Sequence, residues 1–185
     1  QGEITAITGR NGTGKTTVGL TLAGLLEPVT GTVEASSDLT PDRLAGVGPF
    51  KWRSRDLMGR IGMVLQEPEH QLLTSSVRQE LELGPRLRGL PAAEVSRLVD
   101  DLLERLRLDH LADANPFTLS GGEKRRLSVG SILAAEPQVM VLDEPTYGQD
   151  FRTWSEMADL LAQMRDTGVA LGVISHDVEL VRTLG

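Results

Sequence analysis

A glycine-rich segment near the start of the chain limits the possible folds more than any other feature. Residues 9–16 read G-R-N-G-T-G-K-T and match the pattern G-x-x-x-x-G-K-[ST] at every fixed position. The segment follows a short apolar run at residues 4–7 and precedes a helix-forming run at residues 18–23. Because this pattern binds phosphate in a strand–loop–helix context, the sequence predicts an α/β fold with a phosphate loop at residues 9–16.

The residue types in this phosphate loop fit the chemistry of a polyphosphate. Glycines let the backbone wrap around phosphate oxygens with amide N–H groups pointing inward, and the following helix adds its positive dipole end. We expect Lys15 to reach the β- and γ-phosphates and the Thr16 hydroxyl to bind Mg²⁺. The residues predicted to hold the nucleotide here are Gly9, Asn11, Gly12, Thr13, Gly14, Lys15, Thr16 and Thr17. The chain is predicted to bind a nucleoside triphosphate; a mere glycine-rich turn is the alternative.

An acidic pair directly follows a second apolar run. Residues 139–142 read as a buried strand, and Asp143 and Glu144 come next. A carboxylate at the carboxyl end of a parallel strand lies where α/β sheets bind ligands. We expect Asp143 to hold Mg²⁺, directly or through water, and Glu144 to polarise the water that attacks the γ-phosphate. Such a pair is often only a cap or turn, but downstream of a phosphate loop it indicates nucleotide hydrolysis.

A helix start in the second half of the chain carries glycines that a cap does not require. Ser120 and Glu123 have the spacing of a capping box. Gly121 and Gly122, just inside the helix, each cost about 1 kcal/mol relative to alanine. Close approach of the backbone to a phosphate explains such glycines, so these residues are predicted to contact nucleotide.

The amino-acid composition excludes several classes of function. The 185 residues are 39% hydrophobic, which is enough for one core, and the net charge is −7 with no basic block. A negative net charge does not favour electrostatic binding to the phosphate backbone of nucleic acid. The absence of cysteine excludes disulfides and thiolate metal sites. No apolar run approaches the roughly 20 residues of a membrane span, so we expect a cytosolic domain that can still contact a membrane protein.

The remaining segments alternate between strand and helix patterns. Strands are predicted at residues 61–65 and 169–174, and a turn into a further β-segment at residues 27–34. After Pro91, apolar residues recur at steps of 3 and 4 and predict an amphipathic helix. Thr153 and Glu156 have capping-box spacing and are predicted to start the helix between the last two strands. We expect a single domain, residues 1–185, trimmed at both ends.

In order and approximate spacing, these motifs resemble the ATPase domain of ABC transporters. Residues 119–123, L-S-G-G-E, match the family's LSGG[QE] signature, and we call them the signature segment. Gln66 matches the Q-loop glutamine that senses Mg²⁺ and the attacking water. Asp150 matches the D-loop aspartate, and His176 matches the switch histidine that contacts the γ-phosphate. The resemblance spans Gly2 to about Leu180, and an adenine-stacking aromatic that the family carries upstream of the phosphate loop is missing.

The resemblance implies a fold, a set of roles and a partner. The fold is a P-loop NTPase core with a mostly parallel sheet, an antiparallel β-subdomain and a helical subdomain at roughly residues 67–130 that carries the signature segment. Two domains pair head to tail, and Ser120 and Gly122 of one complete the ATP site of the other. The implied catalytic residues are Glu144, His176, Gln66 and Lys15. The residues for Mg²⁺ are Thr16, Gln66 and Asp143. Further nucleotide-binding residues are Ser120, Gly121, Gly122, Glu123 and Asp150.

A narrower resemblance, to the ATPases of energy-coupling-factor (ECF) vitamin and metal importers, lies just after the strand at residues 61–65. Gln66, Pro68 and Gln71 fit the pattern QxPxxQ, and Glu123 in place of the commoner glutamine also suits that group. The resemblance implies that the domain sits at the cytoplasmic face of the membrane, beneath a transmembrane coupling protein that docks near the Q-loop.

Two other functions stay open at this point. One is a non-transport ABC ATPase of DNA repair, chromosome maintenance or translation, although the coiled-coil insertions or basic surfaces of such proteins are not seen in these acidic residues. The other is a catalytically silent nucleotide-binding module. A silent module predicts the loss of Glu144, His176 or a signature glycine, and all of these are present.

Overall fold

A computed structural model of the chain describes residues 2–184. At its centre lies a 4-stranded sheet in the order β1-β4-β3-β2. The strands are β1 (Ile4–Ile7), β2 (Ile61–Val64), β3 (Val139–Asp143) and β4 (Ala170–Ile174). Every neighbouring pair is parallel. The predicted parallel sheet is therefore confirmed, with each of these strands close to its predicted position.

Helices connect the strands, as parallel pairing requires. The helices are α1 (Lys15–Leu22), α2 (Ser54–Leu57), α3 (Val77–Leu87), α4 (Ala92–Arg105), α5 (Gly121–Leu133), α6 (Phe151–Asp166) and α7 (Val178–Leu184). In α4, the buried residues are Val95, Val99, Leu102 and Leu103. Their spacing places them on one helix face, which confirms the predicted amphipathic helix. Between residues 2 and 184, no helix is both long and apolar enough to span a bilayer.

The close packing of α1 on the sheet fixes the start of this helix beneath the phosphate loop. A Cβ atom on Gly19 would lie 2.5 Å from Cδ1 of Ile174 and 3.3 Å from Cγ1 of Val141. A larger residue at position 19 would therefore displace the buried Ile174 side chain or push α1 away from β3 and β4. Because α1 begins at Lys15, the absence of a side chain at Gly19 helps to hold the phosphate loop at the carboxyl ends of these strands.

Helices α3, α4 and α5 pack together beside β2, at one edge of the sheet. Leu81 on α3, Val99 on α4 and Leu127 on α5 are fully buried in one continuous core that also includes residues of β3 and α6. These helices overlap the helical subdomain predicted at residues 67–130. That they form a separate subdomain stays a prediction.

Of the turn into a β-segment predicted at residues 27–34, the turn is present, but the prediction of a β-segment is wrong. Val29 is 99% exposed and Gly31 has a left-handed backbone with φ +81°, so this stretch is a surface turn. A strand needs a neighbour with free backbone groups, and no pair in the described sheet includes residues 27–34. The antiparallel β-subdomain implied by the family resemblance is therefore not formed within residues 2–184.

The start of α6 also differs from the prediction. The helix begins at Phe151, and the N-cap residue is Asp150, whose carboxylate accepts a hydrogen bond from the backbone N–H of Thr153 at 2.9 Å. Thr153 is therefore inside the helix and not its cap. Aspartate and threonine both cap helices, and the earlier of the two cap residues is the one used.

Candidate active site

The phosphate loop is a tight backbone curve between β1 and α1. Gly12 and Gly14 have φ of +80° and +88°, a left-handed conformation that strongly favours glycine. The ammonium group of Lys15 donates hydrogen bonds to the carbonyls of Gly9 at 3.0 Å and Arg10 at 3.2 Å. Thr13 Oγ1 donates to the same Arg10 carbonyl at 2.8 Å. The loop is thus pre-shaped by its own side chains.

The first turn of α1 is joined to the end of β3 by one short hydrogen bond. Thr16 Oγ1 donates to Asp143 Oδ2 at 2.6 Å, and Asp143 is only 1% exposed. Hydroxyl and carboxylate oxygens are hard ligands of the kind that Mg²⁺ prefers, and these two lie close enough to bind the same ion. Mg²⁺ usually keeps several waters and takes only one or two protein ligands beside the phosphates. The two side chains therefore fit the predicted cation.

Glu144 is held in an unusual backbone conformation by groups at the end of β4. Its φ is +48°, which is uncommon for a residue other than glycine. The Glu144 backbone N–H donates to the carbonyl of Ile174 at 2.8 Å. Ser175 Oγ donates to Glu144 Oε2 at 3.2 Å, and His176 Nδ1 lies 2.8 Å from Glu144 Oε1. The carboxylate is oriented by two neighbouring side chains, as a catalytic base requires.

These groups converge on one cleft of about 500 Å³, which we call the phosphate cleft. It lies at the carboxyl ends of the parallel strands, where α/β sheets bind ligands. Its lining residues are Asn11, Gly12, Gly14, Lys15, Thr16, Thr17, Gln66, Asp143, Glu144, Tyr147 and His176. The structure thus brings together most of the residues predicted from separate motifs, and Tyr147 is an addition that the sequence did not predict.

The signature segment lies outside this cleft. The capping box is present, with Glu123 N–H donating to Ser120 Oγ at 3.4 Å and Ser120 N–H donating to Glu123 Oε2 at 2.8 Å. Hydrogen bonds from Ser120 lower the pKa of Glu123. A Cβ atom on Gly122 would lie 2.8 Å from Thr153 Cγ2 on α6, whereas one on Gly121 would meet nothing within 4 Å. Gly122 therefore has a packing role that the sequence argument did not include.

Asp150 also lies outside the phosphate cleft. Its carboxylate caps α6, and the hydrogen bond from the backbone N–H of Thr153 lowers the pKa of Asp150. Contacts of Asp150 and of the signature segment with nucleotide stay predictions.

Ser175 and Asp177, on either side of His176, make polar contacts near the site that sequence reasoning missed. Ser175 is fully buried against Glu144. Asp177 accepts a hydrogen bond from the indole N–H of Trp154 at 2.6 Å and caps α7 through its Oδ1. Burial raises the pKa of Asp177, but this hydrogen bond and several others outweigh burial and lower it overall. For Asp177, the strong preference of aspartate for helix caps was the available signal.

A comparison with protein families agrees with this geometry. A family model described as "ABC transporter" matches residues 1–147. The chain belongs to the ABC transporter family. The match covers the phosphate loop, Gln66, the signature segment and the acidic pair, and ends before Asp150 and His176.

Curated relatives of this ABC domain include ATP-binding proteins of transporters. It is 40% identical over 179 residues to the energy-coupling factor transporter ATP-binding protein EcfA2 of Symbiobacterium thermophilum, covering 96% of this chain and 60% of that protein. It is 41% identical over 182 residues to a Bacillus subtilis protein provisionally named the HMP/thiamine import ATP-binding protein YkoD, covering 98% and 31%. The chain thus spans between about a third and three-fifths of these relatives.

Solved structures give the same fold. The ABC domain superposes on cbiO1 of Clostridium perfringens, described as part of the ABC transporter complex cbiONQ, with a TM-score of 0.77 and 34% identity over 98% of this chain and 70% of that one. It superposes on the ATP-binding cassette MJ0796 with a TM-score of 0.80 at 23% identity, over 98% and 78% of the two chains. The predicted α/β P-loop NTPase fold is confirmed.

Proposed function

We propose that this ABC domain binds ATP with Mg²⁺ and hydrolyses it to energise a membrane importer of the ECF type. The observation that carries the proposal is the phosphate cleft, where the Thr16–Asp143 pair and the Glu144–His176 pair meet the phosphate loop. A cleft that joins phosphate-binding donors to an oriented carboxylate suits hydrolysis of a phosphoanhydride.

Each residue of the cleft has a defined part in this chemistry. Lys15, the loop amides and the α1 dipole hold the β- and γ-phosphates. Glu144 accepts a proton from the attacking water, while Gln66 orients this water and His176 donates a hydrogen bond to the γ-phosphate. Thr16, Gln66 and Asp143 would hold Mg²⁺, which when bound neutralises charge on the phosphate oxygens.

A second copy or a related domain completes the site in this proposal. Ser120, the N-cap of α5, and Gly121, its first residue, are exposed and do not line the phosphate cleft of their own chain. Free backbone N–H groups at a helix start bind anions. We therefore place the signature segment of one domain on the γ-phosphate bound by the other, head to tail.

An apolar groove supports docking of a transmembrane coupling protein at the cytoplasmic face of the membrane. The groove has a volume of about 350 Å³ and lies between α2, β2, α3 and α5; we call it the coupling groove. Leucines at its rim are largely exposed, namely Leu25, Leu73 and Leu87. An exposed apolar patch of this kind marks an interaction site. The names of the relatives, which are transporter ATP-binding proteins, support the same partner.

Two measurements test the proposed function. The domain should release phosphate from ATP only with Mg²⁺, and Lys15→Ala should abolish release whereas Lys51→Ala at an exposed site should not. In membranes of its source cells, the tagged domain should co-purify with an integral membrane subunit. Leu73→Asp with Leu87→Asp should prevent co-purification but leave phosphate release unchanged, and Val29→Asp serves as an exposed control. Co-purification that persists in the double variant would contradict docking at the coupling groove.

A further inference from the structure

Gln71, the second glutamine of the Q-x-P-x-x-Q stretch, has its side chain bonded back onto β2. Its Nε2 donates to the carbonyl of Met63 at 2.8 Å, and its Oε1 accepts the backbone N–H of Leu65 at 2.8 Å. The carboxamide therefore pairs with the strand as the backbone of a neighbouring strand would. Because β2 is at one edge of the sheet, this side of the strand has no such neighbour within the described sheet.

Helix α5 secures the same stretch of backbone from a second direction. Ser128 Oγ on α5 donates to Gln71 Oε1 at 2.7 Å. One turn earlier, the guanidinium of Arg125 donates to the carbonyl of Leu65 at 2.9 Å and to the carbonyl of Gln66. Ser128 and Arg125 are both buried. Side chains from one face of α5 and from Gln71 thus hold the backbone that leads into Gln66.

The side-chain hydrogen bonds from Gln71 and α5 reach the backbone at the point where the pairing of β2 with β3 ends. The last residue pair between β2 and β3 is Val64 with Leu142, so Leu65 and Gln66 have no strand partner. Gln66 lines the phosphate cleft and is otherwise an exposed residue at the start of a loop. The Leu65 side chain packs on the core beside β3 and β4, but within residues 2–184 the hydrogen bonds to the backbone of Leu65 and Gln66 come from Gln71 and Arg125.

We infer that Gln71 is a positioning residue for ATP hydrolysis, which acts by fixing the backbone that presents Gln66 to the phosphate cleft. The inference rests on the proposed function of Gln66. Only a carboxamide serves here, because the position needs one donor for Met63 and one acceptor shared by Leu65 and Ser128. Glutamate would lose the donor, and methionine would leave all of these groups without their partner.

Two variants and a control test this inference by kinetics. Gln71→Met should lower kcat by about 10-fold, since small misplacement of a catalytic group is costly, while the KM for ATP should change less than about 2-fold because the phosphate loop is untouched. Ser128→Ala removes only one hydrogen bond to Gln71, so it should lower kcat by a smaller factor, again with little change in KM. This variant still tests the inference if Gln71→Met folds poorly. Gln163→Met, on the exposed face of α6, should change neither constant.

A double variant separates positioning from general stability. In a Gln66→Ala background, Gln71→Met should lower kcat no further, because the group it positions is gone. A further drop of the same size would overturn the inference, as would a parental kcat in Gln71→Met or in Ser128→Ala.

Hydrogen exchange without nucleotide separates this inference from the proposed function. Gln71→Met should speed exchange of the Leu65 amide and leave the amides of β4 unchanged. Faster exchange of the Leu65 amide together with a normal kcat in Gln71→Met would contradict the positioning role of Gln71 but leave the proposed function intact. A normal kcat in Gln66→Ala would contradict the proposed role of Gln66 and overturn the inference with it, whatever exchange shows.

Discussion

His176 Nδ1 lies 2.8 Å from Glu144 Oε1, so a residue just after β4 and the residue just after β3 share a polar contact in the phosphate cleft. Glu144 is 7% exposed, and its second carboxylate oxygen accepts the Ser175 hydroxyl. The contact orients the carboxylate before any water is activated. Replacing the Glu144 carboxylate with a carboxamide of nearly the same shape therefore tests the chemical role of its negative charge.

Glu144→Gln should leave ATP binding intact and lower hydrolysis by about 100-fold or more, because a carboxamide cannot accept the proton of the attacking water. The ATP-bound dimer should accumulate, which size-exclusion chromatography detects alongside phosphate release. Glu94→Gln makes the same change on the exposed face of α4 and should have no effect. Hydrolysis at the parental rate in Glu144→Gln would show that another group is the base.

Thr16→Val should raise the Mg²⁺ concentration needed for half-maximal hydrolysis by about 10-fold or more, since it removes a ligand hydroxyl and leaves Asp143 unbonded on that side. A Mg²⁺ titration at saturating ATP measures this directly. Thr21→Val is the matched control, because the Thr21 hydroxyl only donates to the Thr17 carbonyl within α1. An unchanged Mg²⁺ requirement in Thr16→Val would exclude Thr16 from the cation site.

Trp154→Phe should destabilise the fold in a pH-dependent way. The indole N–H stabilises the ionised form of Asp177 and helps to hold its pKa below the ordinary value. Stability from this bond is present above the unfolded pKa and is lost as pH falls through the folded pKa. The variant should thus lose about 1 kcal/mol of unfolding free energy at pH 7, and less below about pH 4.

Trp52→Phe is the control for this measurement, made by urea unfolding at both pH values. Trp52 also loses one indole hydrogen bond, but its acceptor is the carbonyl of Val47, which does not titrate in this range. Its destabilisation should therefore be similar at both pH values. An equal pH dependence in the two variants would contradict the role assigned to the Trp154–Asp177 bond.

Local motifs made much of the phosphate cleft predictable from the sequence. The phosphate loop and the acidic pair are each contiguous, and the strand before the acidic pair is a continuous apolar run that is typical of a buried strand. The remaining features depend on contacts between distant residues. The β-segment at residues 27–34 failed because a strand exists only with a neighbour, and the start of α6 was misplaced because Asp150 and Thr153 both make good caps.

Long-range side-chain contacts lay beyond any sequence pattern. The QxPxxQ spacing drew attention to Gln71, but its bonds to β2 and to Ser128 on α5 follow only from how the helices pack against the sheet edge. The contact of Gly122 with Thr153 is of the same kind, because it depends on the approach of α5 to α6. The sequence indicates which residue types matter, and packing decides what they touch.

The central claim is that each ATP site combines the phosphate cleft of one domain with the signature segment of another. Lys15→Ala and Ser120→Arg should each silence hydrolysis in a domain that pairs with itself. Phosphate release by a mixture of the two variants tests the claim most directly, because a heterodimer contains one site with both Lys15 and Ser120 intact. The account predicts that mixing restores hydrolysis, with up to one working site per heterodimer. No recovery, in a mixture where heterodimers demonstrably form, would contradict it.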